Sequence, residues 1–166
     1  MKKGRWLLSA ADIEAMPGKL KTHFLNPDAV RLSRSLGDAV GMKHLGVHLV
    51  TVEPGREATE YHLHWHEEEF VYVLSGQGTA VINDREYPLG AGDFIGLPAG
   101  QAAHTVRNTG DEPMTLLVAG QRLPQDVADY PWQGKRIYRH AAGWDLVEQD
   151  AIEPIEPTLP SASDDE

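Results

Sequence analysis

Residues 55–76 read GREATEYHLHWHEEEFVYVLSG, and residues 92–108 read GDFIGLPAGQAAHTVRN. In the first stretch three of the chain's eight histidines fall within five residues, His62-Leu63-His64-Trp65-His66. Side chains alternate along an extended strand, so His62 and His64 point to one side, a few ångströms apart. Two imidazoles on one face are a ready pair of metal ligands. His66 continues that alternation only if the strand runs on, and the acids that follow favour a turn. The next strand then opens at Glu69, with its carboxylate facing the same interior as Val71 and Val73. In the second stretch His104 opens a further strand directly after Pro98-Ala99-Gly100. A lone strand histidine is ordinarily a packed or surface residue, and three successive glutamates are ordinarily a solvated face. Here the pieces form an ordered set: two histidines, a carboxylate and a third histidine, each beside a turn.

The surrounding sequence is a run of short strands. Leu45–Val52, Glu69–Leu74, Thr79–Asn83, Asp93–Leu97, His104–Asn108 and Met114–Ala119 are rich in Val, Leu, Ile and Thr. Turn signals separate them at 54–55, 75–76, 83–84, 90–93, 98–100 and 108–111. This spacing, without helical periodicity between the strands, predicts an all-β sandwich, barrel or jelly roll. The chain divides into a barrel core at 45–120, an N-terminal extension at 1–44, a C-terminal flank at 121–149 and an acidic, Pro-containing tail at 150–166. Both flanks are expected to pack on the barrel. In the N-terminal extension, Ser9 and Asp12 form a candidate capping box over a short helix, and Ala29–Ser35 is a candidate extra strand. The C-terminal flank reads as irregular, with Tyr130, Trp132 and Trp144 packing over the barrel. The tail carries six acids and no basic residue, which predicts poor order.

Composition removes several classes of function. The 166 residues suit one domain and include no cysteine, so disulfides, thiolate metal sites and thiol nucleophiles are excluded. Fifteen Lys and Arg against 25 Asp and Glu give a net charge of −10, a poor match for nucleic acid. No apolar run reaches the length of a membrane span, and the apolar stretch after Lys2-Lys3 is too short for a signal peptide. A soluble cytoplasmic protein is expected.

The two quoted stretches resemble the paired motifs of the cupin superfamily, in particular its small single-domain microbial members. The first motif, Gly, His-x-His, three or four residues, Glu, six residues, Gly, is matched by Gly55, His62, His64, Glu69 and Gly76. The second, Gly, five residues, Pro-x-Gly, two residues, His, three residues, Asn, is matched by Gly92, Pro98, Gly100, His104 and Asn108. One extra residue precedes His62 and one precedes His104, both in loops. The resemblance covers residues 45–120 and implies a double-stranded β-helix, the jelly-roll barrel of the family, with a little helix in the N-terminal extension. It also implies one divalent metal held by His62, His64, Glu69 and His104. This donor set suits Mn, Fe, Ni, Zn or Cu and suits Mg or Ca poorly.

Fold does not fix function in such a family. One expectation is a metal-dependent enzyme acting on a small polar metabolite, isomerase-like on sugar phosphates or dioxygenase-like. The alternative is a non-catalytic binding or sensor module whose metal anchors a small-molecule ligand. His66 and Tyr61 are weak catalytic candidates, and Glu67 and Glu68 lie nearby. Arg56 and Arg107 are candidate anion contacts for which a surface role is more expected. His48 is expected to face outward if Val47 and Leu49 face the barrel, and His23, His44 and His140 stand outside any motif. Val50, Phe70, Tyr72 and Leu74 exceed what one inward face needs, which predicts a homodimer.

Overall fold

A short helix, α1 (Ala10–Glu14), stands near the start of residues 6–156, the part of the chain described by this computed structural model. Ser9 Oγ accepts a hydrogen bond from the Asp12 amide at 3.1 Å, and Asp12 Oδ2 accepts one from the Ser9 amide at 2.8 Å. This is the capping box that the sequence predicts.

The rest is overwhelmingly strand. The extension adds β1 (Lys19–His23), β2 (Asn26–Ser35) and a single helical turn, α2 (Leu36–Ala39). The central block holds β3 (Leu45–Val52), β4 (Leu63–His64), β5 (Glu69–Ser75), β6 (Gln77–Ile82), β7 (Arg85–Gly90), β8 (Phe94–Leu97), β9 (His104–Arg107) and β10 (Met114–Gln121). The flank contributes β11 (Asp126–Tyr130), β12 (Lys135–His140) and β13 (Gly143–Glu148). Three antiparallel sheets result, in the orders β1-β2-β3-β10-β5-β8, β7-β6-β9 and β13-β12-β11-β4. Strands distant in sequence lie side by side, with β10 between β3 and β5, as a jelly roll requires.

Alternation decides which side chains form the core. Val50 and Val52 on β3, Val71 and Val73 on β5, and Leu116 on β10 pack with Ala80, Leu89 and Val106 of the three-stranded sheet. Burying each Val or Leu contributes roughly 1.5–3 kcal/mol. Phe70, Tyr72 and Leu74 point the other way on β5, and Tyr72 and Leu74 are exposed. Val50 is buried, which corrects the expectation that it lies on the outer surface. The same parity turns His48 inward, two residues before Val50, whereas the sequence reading placed it outside.

Two stretches are more regular than the sequence suggests. β7 contains Pro88, which argues against a strand, but β7 is an edge strand where a missing N–H is tolerated. The two-residue turn that joins it to β6 uses Asn83 (φ 48°) and Asp84 (φ 61°), a hairpin conformation for which both residues are suited. Residues 121–149 are not irregular: β11, β12 and β13 form a meander that also captures β4 through Ala128↔His64. β11 was hard to read because Asp126 and Asp129, unfavourable in strands, are held by partners on other segments. Beyond it, Gln149–Ala151 makes a single 3-10 turn and residues 153–156 are exposed, while the remainder of the predicted tail, 157–166, lies outside the described residues. Among the described residues no helix is long and apolar enough to cross a membrane.

Candidate metal centre

His62 and His104 face each other across an antiparallel bridge. The His62 amide donates to His104 O at 3.0 Å, and the His104 amide donates to His62 O at 2.8 Å. One residue later the chain leaves β9 for β11, which places His64 beside Ala128. The Gly100 amide donates to His64 O at 2.8 Å from a turn whose φ of +71° favours glycine. Glu69 enters from the first position of β5, paired with Leu97 on β8 and Gly120 on β10.

These four side chains converge. Glu69 Oε2 lies 3.8 Å from His62 Nε2, 3.8 Å from His64 Nε2 and 3.9 Å from His104 Nε2. The Nε2 atoms of His62 and His64 are 3.1 Å apart. Each histidine offers its other nitrogen to an acceptor: His62 Nδ1 to Glu60 O at 2.8 Å, His104 Nδ1 to Ala102 O at 3.1 Å, and His64 Nδ1 to Asp126 Oδ2 at 2.6 Å. A neutral imidazole has one N–H, and spending it on Nδ1 leaves the Nε2 lone pair aimed at the others. His104 Nε2 is buried without any hydrogen-bond partner among the described residues.

This arrangement fits a metal ion. Bonds of about 2.1 Å to one ion place neighbouring donors roughly 3.0–3.4 Å apart, which matches the 3.1 Å between His62 and His64 and is shorter than the 3.8–3.9 Å to Glu69 Oε2, a contraction that a bound cation would bring about. Without a cation, lone pairs would face one another across 3.1 Å and a buried nitrogen would stay unsatisfied. Electrostatics agree with the donor chemistry. Burial and the neighbouring His62 push His104 down to about 4, so it is neutral at pH 7. Burial alone would raise Glu69, but the three surrounding imidazoles outweigh it and hold the carboxyl at about 2. His64 is pushed down by burial, yet its bond to Asp126 and the nearby Glu69 bring it above its ordinary value.

The donors open onto a cavity of about 400 Å³ between the six-stranded sheet and the C-terminal sheet. The size lies in the range of small-molecule sites. His48 lines it and so faces inward; Tyr130 lines it as well, as do His23, Lys21 and Arg31, which no motif marks. The alternation Ala29, Arg31, Ser33 along the expected extra strand was the one clue available.

The other sequence candidates lie elsewhere. Tyr61 is buried away from the cavity, stacked on Trp132 at 4.0 Å, with its hydroxyl accepting from the Asp84 amide. The His66 side chain is exposed and does not line the cavity, while its amide donates to Asp126 Oδ1 at 3.1 Å. Glu67 is buried, bound by the Leu123 amide and by the Arg139 guanidinium, while Glu68 is exposed. Arg56 pairs with Asp28 and Arg107 with Glu57, both outside the cavity. His44 is exposed, and His140 binds Asp145 in the β12–β13 hairpin. Trp65 donates to Asp129 at 2.9 Å, and Arg136 stacks over its ring.

Comparison with known proteins places this geometry. Residues 48–120, which carry all four donors, match the family described as "Cupin domain". A structure from Acidithiobacillus ferrooxidans, provisionally described as a sugar phosphate isomerase, is 54% identical with a TM-score of 0.90, over 91% of this chain and 97% of that one. A sugar phosphate isomerase of the cupin superfamily from Silicibacter pomeroyi is 33% identical with a TM-score of 0.76, over 87% of this chain and 95% of that one. Auxin-binding protein 1 of Arabidopsis thaliana is 37% identical over 99 residues, which are 54% of this chain and 48% of that protein. The chain spans about half the length of the curated relatives it matches. With a cupin-domain match over residues 48–120 and a structure of the cupin superfamily matched at 33% identity over 95% of its length, the chain belongs to the cupin superfamily.

Proposed function

We propose that the protein is a metal-dependent isomerase of a small phosphorylated hydroxy-carbonyl compound, with His62, His64, Glu69 and His104 holding one divalent transition ion. The observation that carries this is the convergence of four donors, one of them a buried His104 Nε2 with no hydrogen-bond partner among the described residues, at the wall of a cavity that opens to solvent. The resemblance to structures described as sugar phosphate isomerases supports the substrate class. When bound, such an ion acts as a Lewis acid toward adjacent carbonyl and hydroxyl oxygens.

The chain's own residues supply the rest. Isomerisation builds negative charge on the substrate's carbonyl oxygen as a proton moves between neighbouring carbons, so a neutral hydrogen-bond donor near that oxygen helps. His23 is neutral at pH 7: burial and the nearby His62 and Arg31 push it down to about 4. Its Nδ1 accepts from the Leu25 amide at 3.2 Å, so the neutral ring carries its proton on Nε2 and donates from there to a substrate oxygen. His23 lies 5.3 Å from the Tyr130 ring, which in turn lies 6.2 Å from His62, so it sits on the cavity wall next to the donors. Tyr130, raised to about 12 by burial, stays a neutral phenol. Apolar lining from Val50, Val71, Leu116 and Val118 limits water around the reacting carbons.

The chain is further proposed to act as a homodimer, with Tyr72, Leu74 and Phe94 on the outer face of β5 and β8 covered by a second copy.

Proton NMR of the metal-loaded protein with aldose and ketose phosphates in deuterium oxide tests the function. Deuterium at the carbon next to the carbonyl, with interconversion of the two sugars, is expected. Tight binding without exchange would instead favour a non-catalytic binding module.

A further inference from the structure

We infer that Lys21 and Arg31, with Ser33 and His48 beside them, form the subsite that receives a phosphoryl dianion, in the same cavity as the metal donors. This rests on the reading of the cavity as a substrate site. The residues come from β1, β2 and β3. Lys21 and Arg31 are direct cross-strand partners, so both side chains project from one position of the sheet. Ser33 is the next residue of β2 on that face and is opposite Val50 of β3; its hydroxyl lies 3.4 Å from His48 Nδ1. All four line the cavity.

The pattern of pairing carries the inference. Arg56, Arg107, Arg122, Arg136 and Arg139 each bind a carboxylate, and Arg34, which donates to Met16 O, does not line the cavity. Arg31 is more enclosed than the surface arginines, yet its guanidinium donates only to Ala58 O. Neither Arg31 nor Lys21 has an ion-pair partner among the described residues. For Arg31 this is unusual, because an enclosed charge is almost always paired, while Lys21 is exposed and lines the same cavity. Here two cations stand side by side; burial first and then Arg31 lower the Lys21 pKa, with Asp38 acting the other way. Lys19 and Arg122 add positive charge close to Lys21. In a chain of net charge −10, a cavity that concentrates unpaired cations is a site for an anion supplied from outside. Guanidinium and ammonium together match the several oxygens of a phosphate better than the two of a carboxylate. Glu69 acts on Arg31 electrostatically, so the anion subsite and the metal donors lie within reach of a single small molecule.

The test uses the full chain, freed of metal by chelation, titrated with inorganic phosphate at about pH 8 and followed by phosphorus NMR and calorimetry. Saturable 1:1 binding is expected. Arg31→Gln and Lys21→Gln should each weaken it about tenfold, the loss of one charge-assisted contact, while Arg31→Lys recovers part of it. Arg56→Gln, which removes a surface arginine, should change nothing. His104→Ala should still bind phosphate, so failure of the metal assignment and failure of this one are separable. Should Arg31→Gln fail to fold, Lys21→Gln on the exposed strand β1 decides alone. No saturable binding by the wild type, wild-type affinity in Lys21→Gln, or acetate binding as tightly as phosphate would each overturn the assignment.

Discussion

Asp126→Asn changes one oxygen to nitrogen outside the cupin motifs and should loosen the metal centre. Asp126 uses both oxygens: Oδ2 accepts from His64 Nδ1 at 2.6 Å and Oδ1 accepts from the His66 amide at 3.1 Å. Asparagine has one acceptor oxygen to serve both donors. If it serves His66, its NH₂ faces His64 Nδ1, which must give up its proton to Nε2 and lose the lone pair aimed at the ion. If it serves His64, two N–H donors face each other at His66. Either outcome costs affinity, and losses of this kind are about 10–100-fold, equivalent to roughly 1.4–2.7 kcal/mol. Competition of the protein with a chromophoric chelator for zinc measures it directly. Thermal unfolding of the metal-free variant separates this effect from a folding defect. Affinity within twofold of wild type would refute the argument that Asp126 fixes the His64 tautomer.

Other outcomes follow from the same geometry. Metal affinity should fall as pH drops through and below the raised His64 value, that is from somewhat above pH 6.5, because the proton and the ion compete for the same ring; chelator competition across pH 5–8 reads this out. His23→Ala, which removes the Nε2 donor, should lower turnover by about 100-fold with metal content unchanged, which steady-state kinetics and elemental analysis resolve together. Asp129 is pushed up by burial but held down overall by Arg136 and Trp65, so it stabilises the fold above about pH 4 and loses that effect as pH falls through its lower folded value. The stability deficit of Asp129→Asn in urea, about 2–3 kcal/mol near pH 7, should therefore shrink below pH 4. Light scattering should give twice the 18.3 kDa of one chain, and Phe94→Asp should return the monomer.

The sequence exposed the centre of the protein better than its rim. Strand alternation and the paired motifs point to His62, His64, Glu69 and His104, and their side chains meet at one interior. β3 was located to the residue, but its parity was misjudged. Val47, Leu49 and Val50 are all apolar, so periodicity could not choose a face, and His48 was turned outward. The cationic part of the cavity wall escaped for a different reason. Lys21 and Arg31 are ordinary surface residue types, and only the cross-strand pairing of β1 with β2 gives them a common direction. Asp126 and Arg139 act on the metal donors and Glu67 across more than 60 residues of chain, a relation with no local signature. Tyr61 and His66 drew notice through closeness in sequence to the ligands, yet the chain crosses from β9 to β11 between them and carries both away from the cavity.

Metal content of the purified protein is the most direct test of the central claim. After exposure to Mn, Fe, Ni and Zn and gel filtration, elemental analysis should find about one transition ion per chain in the wild type and less than about a tenth of that in Glu69→Ala and His104→Ala, with both variants still folded by circular dichroism. Stoichiometric metal in both folded variants, or none in the wild type, would contradict the assignment of this centre.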